Sequence, residues 1–258
     1  MTPDILCRRE GSIATVTLFN PEKLNALNAA MWQKLGETMS ELAADASLRC
    51  VILRGEGLVF AAGGDLDEFR TARATVDLAL AYHEAVGAAL AAIERCSHPT
   101  VAAILGPCVG GGLEIACACD LRIAGAGAKF GAPIMKLGFS MYPGELAGFL
   151  KLAGPALAKE ILLEGRLLGA AEAYAKGLLT RVVADAAVLA EAQATAARIA
   201  AGAPLVARWH KQWIARLMEN RPLSADEKRA SFAFLDTDDY AEGLAAFLEK
   251  RPAQFRGR

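Results

Sequence analysis

Two glycine-rich turns carry the backbone amides with the clearest chemical potential in this chain. The first is Phe60-Ala61-Ala62-Gly63-Gly64-Asp65-Leu66, and the second is Gly106-Pro107-Cys108-Val109-Gly110-Gly111-Gly112-Leu113-Glu114. Glycine opens backbone conformations closed to other residues and lets a ligand approach the main chain closely. Amides at a helix start point outward and carry a partial positive charge. Two such amides converging on one carbonyl oxygen would form an oxyanion hole, and losing one donor from such a hole costs ~100- to 1000-fold in rate. Glu114 lies three residues after Gly111. On a helix that spacing returns the side chain to the face of the turn's amides, where a carboxylate can move a proton or hold a water.

These groups need strands to deliver them and helices to receive them. Cys50 to Leu53 and Val101 to Leu105 are short apolar runs that read as strands, one before each turn. Ile5 to Arg9 and Ile13 to Phe19, around Glu10-Gly11, read as a hairpin. Asn28 to Ala44 has helical spacing at Met31, Leu35, Met39 and Leu42, with Asn28 as N-cap. Asp65 is placed to cap the segment after the first turn. Ala74 to Arg95 reads as a long helix, Leu113 to Cys119 as the helix after the second turn, and Leu121 to Ala124 as a strand. From Pro143 onward the pattern is helical, broken at Gly154-Pro155, Gly165, Gly202-Ala203-Pro204 and Arg221-Pro222, and interrupted by a strand at Thr180 to Val183. This is an α/β fold class, with a core over residues 1–190 and a helical region over 191–258.

The two turns and the order of elements around them resemble the enoyl-CoA hydratase/isomerase (crotonase) family. The resemblance begins at Pro21-Glu22-Lys23-Leu24-Asn25-Ala26-Leu27, passes through both turns and Cys119-Asp120-Leu121-Arg122-Ile123-Ala124, and ends at Tyr240-Ala241-Glu242-Gly243-Leu244 and Phe247-Leu248-Glu249-Lys250-Arg251. It implies a spiral of ββα units, with C-terminal helices that build a homotrimer or a hexamer made of two trimers. It also implies an acyl-CoA substrate and no permanently bound cofactor. The oxyanion-hole amides fall on Gly64 and Gly111, and Glu114 matches the first of two hydratase glutamates. Coenzyme A contacts fall on Lys23, Ala26, Leu27, Ala62, Asp65, Leu66, Lys250 and Phe255, the last two often reaching the ligand from a neighbouring subunit.

The second hydratase glutamate should follow Phe130-Gly131-Ala132-Pro133, where this chain has Ile134. Isoleucine can neither protonate an α-carbon nor activate a water. Tyr142 lies where other branches of the superfamily carry a working acid and is the replacement favoured here. Glu145 is a weaker candidate that also reads as a helix-start acid. The resemblance implies an enoyl-CoA hydratase, a lyase. The alternatives are a malonyl-type decarboxylase or an enoyl-CoA isomerase, and, from a different class, a non-catalytic acyl-CoA-binding protein.

Composition narrows the partners. Of 258 residues 54% are hydrophobic, which reads as closely packed alanine-rich helices with subunit interfaces. No run of 18 apolar residues is free of charge, so no membrane span is expected. The start lacks a basic stretch followed by an apolar core, so export is not expected. A net charge of −1 with no basic block argues against nucleic acid. The six cysteines form no zinc-type knuckles, and Cys117 and Cys119 read as buried thiols in a reducing cytoplasm. His83, His98 and His210 read as structural or solvated. No pair has metal-ligand spacing, so no metal is expected. A Gly-x-Ser-x-Gly elbow is also missing, because Gly138-Phe139-Ser140-Met141-Tyr142 breaks the pattern.

Overall fold

The computed structural model describes residues 2–258. β1 (Asp4–Glu10) and β2 (Ile13–Phe19) form the expected hairpin, in register from Asp4 opposite Phe19 to Glu10 opposite Ile13. β2 alternates, with Ala14, Val16 and Leu18 facing the core. β3 (Cys50–Gly55), β4 (Thr100–Ile104), β6 (Leu121–Gly125) and β9 (Arg181–Val183) add to β2 in parallel, giving the sheet order β1-β2-β3-β4-β6-β9. β4 is buried at every position. Continuous apolar runs of this kind belong to a parallel sheet covered on both faces.

A second, three-stranded sheet pairs β5 (Pro107–Val109) with β7 (Lys129–Gly131), and β7 with β8 (Leu168–Gly169). Periodicity did not reveal it, because strands of two and three residues are too short to show a period.

The helices are α1 (Ala29–Ala44), α2 (Phe69–Ala72), α3 (Val76–Glu94), α4 (Gly111–Ala118), α5 (Pro143–Glu164), α6 (Ala170–Ala175), α7 (Val188–Ala200), α8 (Pro204–Leu217), α9 (Ala225–Ala230) and α10 (Asp238–Glu249). Asn28 caps α1, its side chain accepting from the Met31 amide at 2.9 Å. α5 is kinked where Gly154 takes φ 69° ahead of Pro155. Leu35, Met39 and Leu42 of α1 share the main core with Tyr82, Val86, Ala89 and Ile93 of α3. A Cβ at Gly36 would lie 3.3 Å from the Cα of Ala89, which measures how closely these two helices pack. By length and composition α3 is the one helix among the described residues that could cross a membrane. In this fold it carries Asp77, Glu84 and Glu94 and lies against α1.

The opposite sheet face is covered by α7, whose Val188, Ala192 and Ala196 pack on Cys50, Ile52, Val101, Ala103 and Ile123. α7 therefore spans residue 190, the boundary drawn from sequence, and packs with the sheet. Asp65 does not cap a helix. Its carboxylate accepts from the Asp67 amide at 3.1 Å in a local turn, while α2 begins later, after Glu68.

Candidate active site

Both glycine turns stand at the carboxyl ends of neighbouring parallel strands, the position at which open α/β sheets receive ligands. The first follows β3. The second follows β4, runs through β5 and ends in the first turn of α4. They are stitched together by backbone: the Ala61 amide donates to the Pro107 carbonyl at 3.1 Å, and the Val109 amide to the Ala61 carbonyl at 3.0 Å. The first turn is also pinned to the Asn-Ala-Leu segment. Leu27 donates to Gly63 O and accepts from the Asp65 amide, each at 2.8 Å, so its own backbone flanks Gly64 without using the Gly64 amide.

Glycine is required here by close approach. A Cβ on Gly64 would lie 2.8 Å from the Phe69 ring and 3.2 Å from the Tyr82 hydroxyl, and one on Gly111 would lie 2.7 Å from the Trp32 indole.

These turns line a cavity of about 210 Å³ together with Glu114, Glu145, Tyr142, His83, Arg73 and Ile134. Glu114 sits in the first turn of α4 and is buried. α4 is held at its far end by Arg122, whose buried guanidinium donates to the carbonyls of Ala116 at 3.2 Å, Leu178 at 2.9 Å and Asp120 at 3.1 Å. That is the work of the Cys-Asp-Leu-Arg segment, which the sequence yielded only as a resemblance.

Glu145 lies in the first turn of α5, behind Pro143 at the helix start, and is also buried. Its carboxylate meets Nδ1 of His83, and the His83 ring stacks on Tyr142 with centroids 5.0 Å apart. Burial, then the negative charge of Glu145, push Glu114 up to about 8, while the positive charge of Arg73 opposes them. The two carboxylates also border a second cavity of about 380 Å³, which reaches Ile214 and Met218 of the α8 region.

The site residues drawn from sequence divide into those that reach this cavity and those that do not. Gly64, Gly111, Glu114, Tyr142, Ala62 and Leu66 line it. Ile134 lines it too, as an apolar wall. Lys23 and Asp65 face each other outside it: Lys23 donates to Asp65 at 2.7 and 2.9 Å and to Asp67 at 2.8 Å, which raises the Lys23 pKa. Ala26 and Leu27 have buried side chains. Lys250 and Phe255 lie on the C-terminal segment, outside the lining, and Phe255 packs on Gly243 of α10.

Sequence reasoning set His83 aside as structural or solvated; the structure places it in the cavity, against Glu145 and Tyr142. A signal existed, since His83 borders the apolar stripe of Tyr82, Val86 and Ala89. It also ranked Glu145 below Tyr142 and passed over Arg73, which stands alone between two helices with no periodicity to mark it.

A parallel sheet whose adjoining glycine turns meet over a buried carboxylate pair, backed by a helical C-terminal region, is an α/β fold of the crotonase class. The chain belongs to the enoyl-CoA hydratase/isomerase family, whose profile it matches over residues 8–258, and with it to enzymes that process acyl-CoA thioesters. It is similar to a solved enoyl-CoA hydratase/carnithine racemase from Magnetospirillum magneticum, 52% identical with a TM-score of 0.96, covering 98% of this chain and 96% of that one. A putative enoyl-CoA hydratase/isomerase family protein from Hyphomonas neptunium is 38% identical with a TM-score of 0.93, covering 98% of both chains. A probable enoyl-CoA hydratase of Mycobacterium tuberculosis is 37% identical over 98% of both chains.

Proposed function

We propose that this protein hydrates the double bond of an enoyl-CoA, using Glu114 and Glu145 as the acid–base pair and the Gly64 and Gly111 amides as the oxyanion hole. The observation that carries the reading is the arrival of Glu145 in the same pocket as Glu114, from α5, although Ile134 leaves the expected position without an acid. The thioester oxygen lies on the two amides. Glu145, oriented by His83, takes a proton from water while the water oxygen bonds to the β-carbon. The π electrons of the C=C bond shift to give an enolate, whose charge the amides hold as it develops, so they favour the transition state over the substrate. Glu114, kept protonated towards neutral pH by burial, delivers its proton to the α-carbon. Proton return from Glu145 to Glu114 resets the pair. Tyr142 positions His83 by stacking. Coenzyme A enters and leaves as part of the thioester, and no resident cofactor takes part.

The assembly we propose is a homotrimer or hexamer, in which Lys250 and Phe255 reach a neighbour's ligand. Its support is the apolar surface left open on the C-terminal helices.

The test is crotonyl-CoA hydration by the wild type, Glu114→Gln and Glu145→Gln. General acid–base catalysis contributes ~100- to 10,000-fold, so each variant should lose that much in kcat with acyl-CoA binding nearly intact. A Glu145→Gln variant of full activity would exclude Glu145 from the chemistry.

A further inference from the structure

The guanidinium of Arg73 is the anomaly of the pocket. It sits in the loop between α2 and α3, its Cζ 3.5 Å from the Phe69 ring centroid, 4.8 Å from that of Phe139 and 5.4 Å from that of Tyr82. Three aromatic faces hold a planar cation here in a fixed orientation. Among the described residues no carbonyl or carboxylate accepts a hydrogen bond from it, and its Nε is buried without a partner. Glu114 and Glu145 act on it only through space.

The two buried arginines among the described residues, Arg122 and Arg216, behave differently. Arg122 donates to four backbone carbonyls, and Arg216 donates to Glu227 and to the carbonyls of Arg221 and Pro222. Buried donors in folded proteins are satisfied with few exceptions. An arginine locked by rings, turned into a ligand pocket and left with its fork unused is a receptor waiting for an anion.

We propose that Arg73 binds a carboxylate carried by the acyl group itself, so that the preferred substrates are short acyl-CoA thioesters ending in a free carboxylate. The inference rests on the acyl-CoA reading above and supplies its substrate class. Arg73 shares its cavity with Gly111 and Glu114, and Lys23 at the outer loop does not. The charges of Glu145 and Glu114 reach it across that cavity, which puts the anion it meets on the acyl side of the thioester, away from the coenzyme A phosphates. A cavity of about 210 Å³ is below the ~300 to 1,000 Å³ usual for whole ligands, which fits a short acyl chain and leaves the nucleotide outside. A planar guanidinium meets a carboxylate through two parallel hydrogen bonds, the geometry for which arginine surpasses lysine.

Calorimetry with glutaryl-CoA, butyryl-CoA and free coenzyme A tests the proposal without any turnover, because none of the three carries a double bond to hydrate. Wild type should bind glutaryl-CoA more tightly than butyryl-CoA. Arg73→Met should lose ~10- to 100-fold in glutaryl-CoA affinity, the worth of a charged hydrogen-bonded pair. Its butyryl-CoA and free coenzyme A affinities should hold. Arg73→Lys should recover part of the loss. In turnover, the ratio of kcat/KM for glutaconyl-CoA over crotonyl-CoA should fall by the same factor in Arg73→Met.

An equal loss for both thioesters would make Arg73 a counter-charge for the acid pair. A loss for free coenzyme A would place it on the phosphates. Either result overturns the proposal, as does a wild type that binds glutaryl-CoA no better than butyryl-CoA. A glutaryl-CoA preference that depends on Arg73, in a protein that hydrates neither enoyl thioester, would uphold the carboxylate receptor and sink the hydratase reading alone.

Discussion

Glu114 should make the folded protein less stable as pH rises, and the sign follows from its environment. Burial and Glu145 raise its pKa from 4.5 in the unfolded chain to about 8 in the fold, with Arg73 opposing. Below pH 4.5 both states hold the proton and the contribution is fully present. Between 4.5 and 8 the unfolded chain releases the proton while the native state keeps it, so stability falls by at most about 1.4 kcal/mol per pH unit. Glu114→Gln has no proton to lose. Its stability relative to wild type should therefore climb from pH 5 to pH 8 in denaturant titrations. A difference that stays flat across that range would mean the carboxylate is ionised in the native state. The groups facing Glu114 are Arg73 and Glu145, with His83 and Tyr142 behind, so repeating the titrations in a His83→Gln background separates the histidine's part. Glu114 was legible in the sequence because helical spacing ties it to Gly111 within one element. Glu145 was not, because its approach to Glu114 depends on how α5 docks on α3 and α4, a tertiary relation that no local pattern encodes.

The elements that carry the turns explain why the glycines there differ in what they tolerate. At Gly111 the first turn of α4 lies on Trp32 of α1, and an added methyl would press on the indole at 2.7 Å. Overpacking of this kind costs ~1 to 3 kcal/mol, and it would shift the Gly111 backbone that lines the pocket. Gly111→Ala should therefore lower both the denaturation midpoint and the hydration rate. Gly87, in the middle of α3, has nothing within 4 Å of an added Cβ. Gly87→Ala should raise stability by about 0.5 to 1 kcal/mol, with the crotonyl-CoA rate unchanged. If the two variants behave alike, the close approach of α4 to α1 is not what Gly111 serves. The hairpin, α1 with its Asn28 cap, β3, β4 and α4 were readable at this scale, because each carries its own period or cap. The small β5-β7-β8 sheet was not, since its strands owe their pairing to neighbours far away in sequence. Asn25 belongs with it: its buried amide donates to the carbonyls of Glu56 at 2.9 Å and Val59 at 2.7 Å. It thereby ties the Asn-Ala-Leu segment to the chain entering the first glycine turn, a role invisible in a motif read alone.

At the scale of the whole molecule, the C-terminal helices present large apolar side chains to the outside. Phe247 and Leu248 of α10 are 81% and 71% exposed, and Ile214, Leu217, Met218, Phe232 and Leu235 are exposed on the preceding helical segments. Single exposed apolar residues are ordinary, but a concentration of them on one region marks an interaction surface. α10 nevertheless has an inner side, with Asp239 and Ala246 buried. The helix therefore docks on its own chain by one face and offers Phe247 by another. Self-association is the simplest cover for that face, and it would also bring Lys250 and Phe255, which lie outside this chain's pocket, towards the ligand of a neighbour. Light scattering should then give three or six times 27.2 kDa. Phe247→Asp, which puts a charge into the contact, should shift the protein to smaller species and raise the Kd for acetoacetyl-CoA in the same concentration range. A wild type that stays monomeric at every concentration would separate the C-terminal segment from the binding site. A Phe247→Asp monomer with full affinity would show that each chain completes its own pocket.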